Sequence, residues 1–130
     1  MAKRVMIVDD NVAIRSALRR AFSQTKNFFI SGEASNGKEA IDYVAKAKPH
    51  LIILDISMPV MSGIAAAPRL RKLAPKACVI FFSTFASTEV ERVAKEVGVH
   101  GVVSKMEGTD KLLATAHSLL GLKTESTTIN

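Results

Sequence analysis

Leu51-Ile52-Ile53-Leu54-Asp55-Ile56-Ser57-Met58-Pro59 is the stretch that decides the fold. Four branched or long apolar residues in a row, without helical spacing, read as a short strand buried on both faces, the kind found inside parallel sheets. Asp55 stands where that strand ends. Ser57 follows, and Met58-Pro59 halts the strand because proline has no N–H to give to a ladder. A carboxylate at the end of a buried parallel strand lies where open α/β sheets place their ligands. Taken alone, Asp55 would do no more than cap the next turn.

Outward from this stretch the chain alternates between the two periodicities. Val5 to Val8 is an apolar run ending at Asp9-Asp10-Asn11, and Ile14, Leu18, Ala21 and Phe22 then recur at helical spacing. Phe28-Phe29-Ile30 opens a second strand running toward Ser35. Asn36, with Glu39 three residues on, marks a helix N-terminus and a capping box; Ala40, Ile41 and Val44 line that helix. Ser62-Gly63 starts a third helix through Ile64, Ala67, Leu70 and Leu73, and Pro68 inside it removes one internal hydrogen bond unless the helix starts late or kinks. Ala77 to Phe82 is a fourth strand ending at Ser83-Thr84. Val90, Val93, Ala94 and Val97 give a fourth helix stopped by Gly98, and Gly101 to Ser104 a fifth strand ending at Lys105. Leu112, Leu113, Ala116, Leu119 and Leu120 give a last helix stopped by Gly121. Five strands alternating with five helices predict a doubly wound, mostly parallel α/β sheet covered on both faces.

The 130 residues suit one domain, and 48% hydrophobic residues with a mean hydropathy of +0.19 suit a well-packed core. No apolar run approaches a membrane span or a signal-peptide core, so no membrane association is expected. The single Cys78 excludes an intrachain disulfide framework, which points to a reduced, cytoplasmic setting. The net charge of +6 raises the question of nucleic acid. Its lysines and arginines are spread along the helices without aromatic interleaving, so solvated faces explain them better than a direct nucleic-acid contact.

In a parallel sheet the polar strand ends share one edge. Asp9 and Asp10, Asp55, Ser83 and Thr84, and Lys105 therefore gather there. Three carboxylates in one crevice disfavour joint ionisation and call for a cation. Mg²⁺, held by hard oxygen ligands and still carrying water, is the natural one. A lysine and a hydroxyl opposite complete a pocket for a tetrahedral anion, and phosphoryl transfer to a carboxylate uses such parts.

Asp9-Asp10 after the first strand, Asp55 before Met58-Pro59, Met61 and Gly63, Ser83-Thr84 after the fourth strand and Lys105 after the fifth resemble the bacterial response-regulator receiver domain, the CheY-like family. The likeness runs from Lys3 to about Leu120. It implies a flavodoxin-like fold with strand order 2-1-3-4-5. It also implies that Asp55 accepts a phosphoryl group from a sensor histidine kinase, a phosphotransfer protein or a small phosphodonor. Asp10 would hold Mg²⁺ directly and Asp9 through water, with Asp55 and the Ser57 main-chain carbonyl as further ligands. Lys105 would pair with the phosphoryl oxygens, and Ser83, flanked by Thr84, would swing to the phosphate. The module would catalyse its own aspartyl phosphorylation and dephosphorylation rather than act as an enzyme on other substrates. Its partner surface would lie on the fourth helix, fifth strand and fifth helix, with a homodimer on phosphorylation as one outcome.

Three positions depart from the family's commonest pattern: Val102 where an aromatic residue is usual, Met106 where proline is frequent, and Pro68 inside a helix. Two other classes compete. A phosphohydrolase of the haloacid-dehalogenase type needs two aspartates two residues apart after the first strand, which Asp9-Asp10-Asn11-Val12 lacks. A degenerate receiver, binding partners without phosphorylation, is disfavoured by the intact acidic set, Ser83 and Lys105. His50, His100 and His117 have no metal spacing and read as surface or half-buried residues. Residues 1–122 are expected to form the receiver domain and 123–130 a polar tail or the start of a linker. The chain is then either a single-domain regulator or a receiver cut before a DNA-binding module.

Overall fold

The computed structural model describes residues 1–84 and 86–123. The expected tail therefore lies, apart from Lys123, outside the described residues. The elements are β1 (Lys3–Val8), α1 (Val12–Ser23), β2 (Phe28–Ala34), α2 (Gly37–Ala47), β3 (Leu51–Leu54), α3 (Gly63–Leu73), β4 (Cys78–Ser83), α4 (Thr88–Glu96), β5 (Gly101–Ser104) and α5 (Gly108–Leu119). All strand pairs are parallel and the order is β2-β1-β3-β4-β5, as expected.

The unbroken apolar runs follow from two cores, one on each face of the sheet. Successive strand residues point to opposite faces. Met6, Ile52, Leu54, Val79 and Phe81 pack under α2 and α3 against Ala40, Val44, Ala66 and Leu70. Val5, Ile7, Leu51, Ile53 and Ile80 pack under α1 and α5 against Leu18, Phe22, Leu112 and Ala116. β3, between β1 and β4, is buried at every position.

Four helices start on a side chain that accepts from the first turn: Asn11 from Ile14, Asn36 from Glu39, Ser62 from Ala65 and Ser87 from Val90. The expected capping box at Asn36 is displaced by one residue. Glu39 Oε1 accepts from the Ser35 N–H and from its hydroxyl, both at 2.8 Å, rather than from the Asn36 N–H. α3 starts at Gly63 and continues through Pro68, so the lost internal hydrogen bond is borne by the helix. α4 and α5 are followed by Gly98 and Gly121 at φ 80° and 66°, the left-handed stops the sequence led us to expect.

Three features were not anticipated. A 3₁₀ turn, Lys105–Glu107, joins β5 to α5, closed by a capping box in which Ser104 Oγ accepts from the Met106 N–H and Glu107 Oε1 from the Ser104 N–H. Pairing of β1 with β2 shifts between Val5, opposite Ile30, and Met6, opposite Gly32, so Ser31 is an extra residue, a β-bulge in an edge strand. Finally, the histidines have structural duties. His50 donates its backbone N–H to the Arg4 carbonyl (2.9 Å) while its Nδ1 accepts from the Arg4 N–H (2.9 Å). His100 does the same with Val79, at 2.9 and 3.0 Å. Each imidazole, one residue ahead of a strand, closes one more rung of the sheet. His117 is buried, contrary to expectation, in edge contact with the Phe28 ring and hydrogen-bonded to Asn27.

Candidate functional site

The site is made by the carboxyl-end edge of the sheet. The Asp9 N–H donates to Ala34 O (3.0 Å) and the Asp55 N–H to Val8 O (2.9 Å), so backbone bonds carry both aspartates one residue past their strands. Asp9 is 2% and Asp55 5% exposed. Asp9 Oδ1 accepts from the Asn11 N–H at 2.9 Å, and its Oδ2 accepts from Lys105 Nζ at 2.8 Å. The same ammonium stands 3.4 Å from Asp55 Oδ2. Asp10 is exposed, and one oxygen from each of Asp9, Asp10 and Asp55 lies within 4.8 Å of the others.

Ser83 ends β4, is 1% exposed and is paired in register with Ser104, immediately before Lys105. Thr84 and Ser57 are exposed at the rim. Among the described residues, neither side chain makes a hydrogen bond to the carboxylates. The structure thus brings together Asp9, Asp10, Asp55 and Lys105, sets Ser83 on the adjoining strand and leaves the Ser57 and Thr84 side chains in solvent. Val102, opposite Phe81, is partly buried against the core beneath α2 and α3.

The loop after Asp55 folds back over the strand end. The Gly63 N–H donates to Ile56 O at 2.8 Å, and a Cβ on Gly63 would collide with the Asp55 carbonyl oxygen. Only glycine lets α3 begin so close to Asp55. At the tip, Val60 adopts φ 68° with its side chain in solvent, a strained conformation for a β-branched residue. Two further residues support the site without having been singled out from sequence. Arg15 Nη1 donates to the Asp9 carbonyl at 2.6 Å, while its Nε pairs with Glu33 at 3.4 Å. Glu33 also accepts both bonds of Arg19, at 2.8 and 2.9 Å. No local spacing links α1 to β2 in this way, so only the parallel pairing of β1 and β2 exposes the relation.

The electrostatics are unbalanced. Burial, and then the charge of Asp9, push the Asp55 pKa above the ordinary carboxylate range, against the pull of Lys105. Burial opposes the Lys105 ammonium, but its hydrogen bond and charge pairing with Asp9, and then with Asp55, outweigh it and raise its pKa. One lysine therefore answers a cluster of three carboxylates. Such a cluster of hard oxygen donors, deficient in positive charge and open to water at Asp10, fits a divalent ion such as Mg²⁺. Asp10 suits direct ligation, since both Asp9 oxygens are already engaged.

The sequence from residue 5 to 117 matches the model of the response regulator receiver domain. The chain is 33% identical over 105 residues to the chemotaxis protein CheY of Thermotoga maritima, covering 81% of this chain and 87% of that one. It is 37% identical over 117 residues to a putative transcriptional regulator of Pseudomonas aeruginosa, covering 90% of this chain but 56% of the relative. It also aligns, at 29% identity over 118 residues, with a protein-glutamate methylesterase/protein-glutamine glutaminase of Methanococcoides burtonii. That alignment covers 90% of this chain but only 34% of the relative. Among solved structures, the response regulator domain of T. maritima CheB superposes with a TM-score of 0.85 at 24% identity, covering 95% of this chain and 100% of that one. CheY from a CheX–CheY–BeF3–Mg complex of Borrelia burgdorferi superposes with a TM-score of 0.84 at 26% identity, covering 91% of this chain and 89% of that one. Strand order and sequence match agree, and the chain belongs to the response regulator receiver domain family, of the CheY-like type.

Proposed function

We propose that the protein is a phosphorylation-dependent signalling switch in which Asp55 is the phosphoryl acceptor. The observation that carries this reading is the pair of buried carboxylates, Asp9 and Asp55, bridged by the half-buried Lys105, whose ammonium is 2.8 Å from one and 3.4 Å from the other. An Asp55 oxygen attacks the phosphorus of a phosphohistidine or a small acyl phosphate. The new P–O bond forms as the bond to the donor's nitrogen or oxygen breaks, leaving an acyl phosphate on Asp55. Lys105 then turns from the carboxylate to the phosphoryl oxygens and offsets the charge that the transfer delivers. Asp10, Asp55 and the Ser57 carbonyl are the proposed direct ligands of Mg²⁺, with Asp9 reaching it through water, and the ion when bound would neutralise the carboxylates and the developing phosphoryl charge. Attack by water on the same phosphorus reverses the modification.

Ser83, buried beside the strand end that leads to Lys105, is the proposed hydroxyl that moves to the phosphoryl group. A hydrogen bond to a charged acceptor contributes about 1.5–3 kcal/mol, enough to tilt a two-state loop between β4 and α4. Val102 has one stiff torsion and no ring to swing, so the signal rests on Ser83 and the loop rather than on an aromatic rotamer. The output surface is α4, β5 and α5. On α4, Arg92 is held between Glu89 (2.9 Å) and Glu96 (3.0 Å), which leaves Glu91 and Lys95 to pair with a second copy or another partner.

Intact-mass analysis after acetyl phosphate and Mg²⁺ tests the acceptor: one phosphoryl group is expected, absent in Asp55→Asn, and label persisting in that variant would overturn the assignment. For the switch, amide shifts with and without beryllofluoride should show Ser83→Ala muting the response of α4 and Val102→Ala sparing it. The reverse pattern would refute this account.

A further inference from the structure

The edge of the sheet opposite the aspartates holds a concavity of about 370 Å³ between the C-terminal ends of α2 and α3. Its wall is part apolar, with Val44, Pro49 and Leu73, and part cationic, with Arg4, Lys48 and Lys76. None of the residues lining it is an aspartate or a glutamate. Leu73, at the end of α3, keeps 56% of its surface exposed, high for a large apolar side chain on an otherwise amphipathic helix.

Basic residues near helix C-termini ordinarily offset the negative end of the helix dipole, and Lys46, Arg71 and Lys72 in the last turns of α2 and α3 serve that purpose. The pocket cations do more. Lys76 belongs to the loop before β4 and caps no helix, while Arg4, on β1, reaches the C-cap of α2 from outside that helix. Arg4 is fixed in place by its Nε–H donating to the Lys48 carbonyl at 2.6 Å. His50 reports the resulting field: burial first, and then the charges of Arg4 and Lys3, depress its pKa, with no carboxylate acting the other way. A fixed arginine, two exposed lysines and a solvated leucine around one concavity form a surface with unanswered charge and unanswered apolar area together.

We propose that this basal pocket is a docking site for an acidic segment of a partner protein, seated by one apolar anchor side chain. Charge complementarity selects the acidic character, and the concave apolar wall at Leu73 and Pro49 selects the anchor. A nucleic-acid duplex would meet the cations but leave Leu73 wet, and a bilayer would need an apolar face rather than a cleft. Docking here would leave the aspartate edge, at the far end of the strands, open to a phosphoryl donor.

A short fluorescein-labelled peptide of alternating aspartate and serine with one central leucine tests the proposal, by anisotropy and by amide shifts in low-salt buffer. The shifts should centre on Ala45, Lys48, Leu73 and Lys76, and the double variant Lys48→Glu/Lys76→Glu should weaken binding by about tenfold. Lys48 is the left-handed C-cap of α2 at φ 46°, so its change to glutamate should lower thermal stability slightly through the helix dipole; Leu73→Ser provides a second variant that removes apolar surface and keeps every charge. It should weaken binding as replacing the peptide's leucine by serine does. Shifts centred elsewhere, equal binding by the leucine-free peptide, or displacement by duplex DNA or anionic vesicles with the same residues perturbed would overturn it.

Discussion

The two ends of the sheet solve opposite problems. At the carboxyl end, Asp9 and Asp55 are buried with a single lysine between them, Asp55 is pushed toward protonation, and Val60 holds a left-handed backbone. At the amino end, His50 and His100 extend the hydrogen-bond ladder by a rung each, so the strand starts are satisfied by neutral acceptors. One edge keeps its charges in want of a counterion; the other has its backbone groups paired. A switch has to be poised in this sense, since an effector can move only an element whose free energy it changes. A rigid opposite edge gives that element something to move against.

Breaking the contrast most severely is Gly63→Ala. Its methyl would meet the Asp55 carbonyl, and we expect a loss of about 3 kcal/mol in chemical denaturation together with loss of phosphoryl uptake. A variant of wild-type stability would mean that α3 can retreat from Asp55. Next comes Lys105→Met, which leaves two buried carboxylates facing each other and should cost about 2 kcal/mol near neutral pH, allowing for the partial exposure of the lysine. The sign of its pH dependence is fixed. Without Lys105 the Asp55 pKa rises further, the folded protein binds more protons than the unfolded one, and stability recovers as pH falls toward the carboxylate range. A deficit that stayed constant with pH would show that Lys105 acts by packing rather than by charge.

Val60→Asn sharpens the comparison from the other side. Asparagine tolerates the left-handed region, so the variant should be more stable by about 1 kcal/mol, read from the denaturation midpoint. The smallest effect belongs to the amino edge. In His50 and His100 burial, and then neighbouring arginines, lower the pKa from 6.5. Such a group binds fewer protons folded than unfolded, so stability should climb with pH up to about 6.5 and level off above it. His50→Asn with His100→Asn offers an acceptor near the Nδ1 position without titrating. That double variant should flatten the slope between pH 5 and 7 while leaving stability at pH 7.5 nearly unchanged; an unaltered slope would assign the titration to other groups.

Much of this was legible in the residues. β3 could be read because a strand buried on both faces must be apolar at consecutive positions, and the polar residue after each run then fell on one edge. Asp9, Asp10, Asp55, Ser83 and Lys105 could be placed together for that reason alone. Ser104-x-x-Glu107 carries the spacing of a capping box, but it follows a strand rather than opening an apolar stripe, so the spacing alone does not signal the 3₁₀ turn. The duties of His50 and His100 are invisible along the chain, because their acceptor role depends on Arg4 and Val79 of neighbouring strands. Arg15 and Glu33 meet only after β2 is laid beside β1. Glu39 has the spacing to reach back to Asn36, yet Ser35, one position earlier, offers it two donors instead of one.

The additional residue in β2 has a bearing on crowding. β2 is an outermost strand, and a smooth outermost strand invites a neighbouring molecule to continue the sheet. Ser31 interrupts the spacing of amide groups halfway along it, so an approaching strand in step with Phe28 and Phe29 falls out of step by Gly32. The increased local coiling that accompanies such an insertion also turns the two halves of the strand away from a common plane. Deleting Ser31 should therefore make this rim more prone to pair with a second copy, read as increased light scattering at high protein concentration.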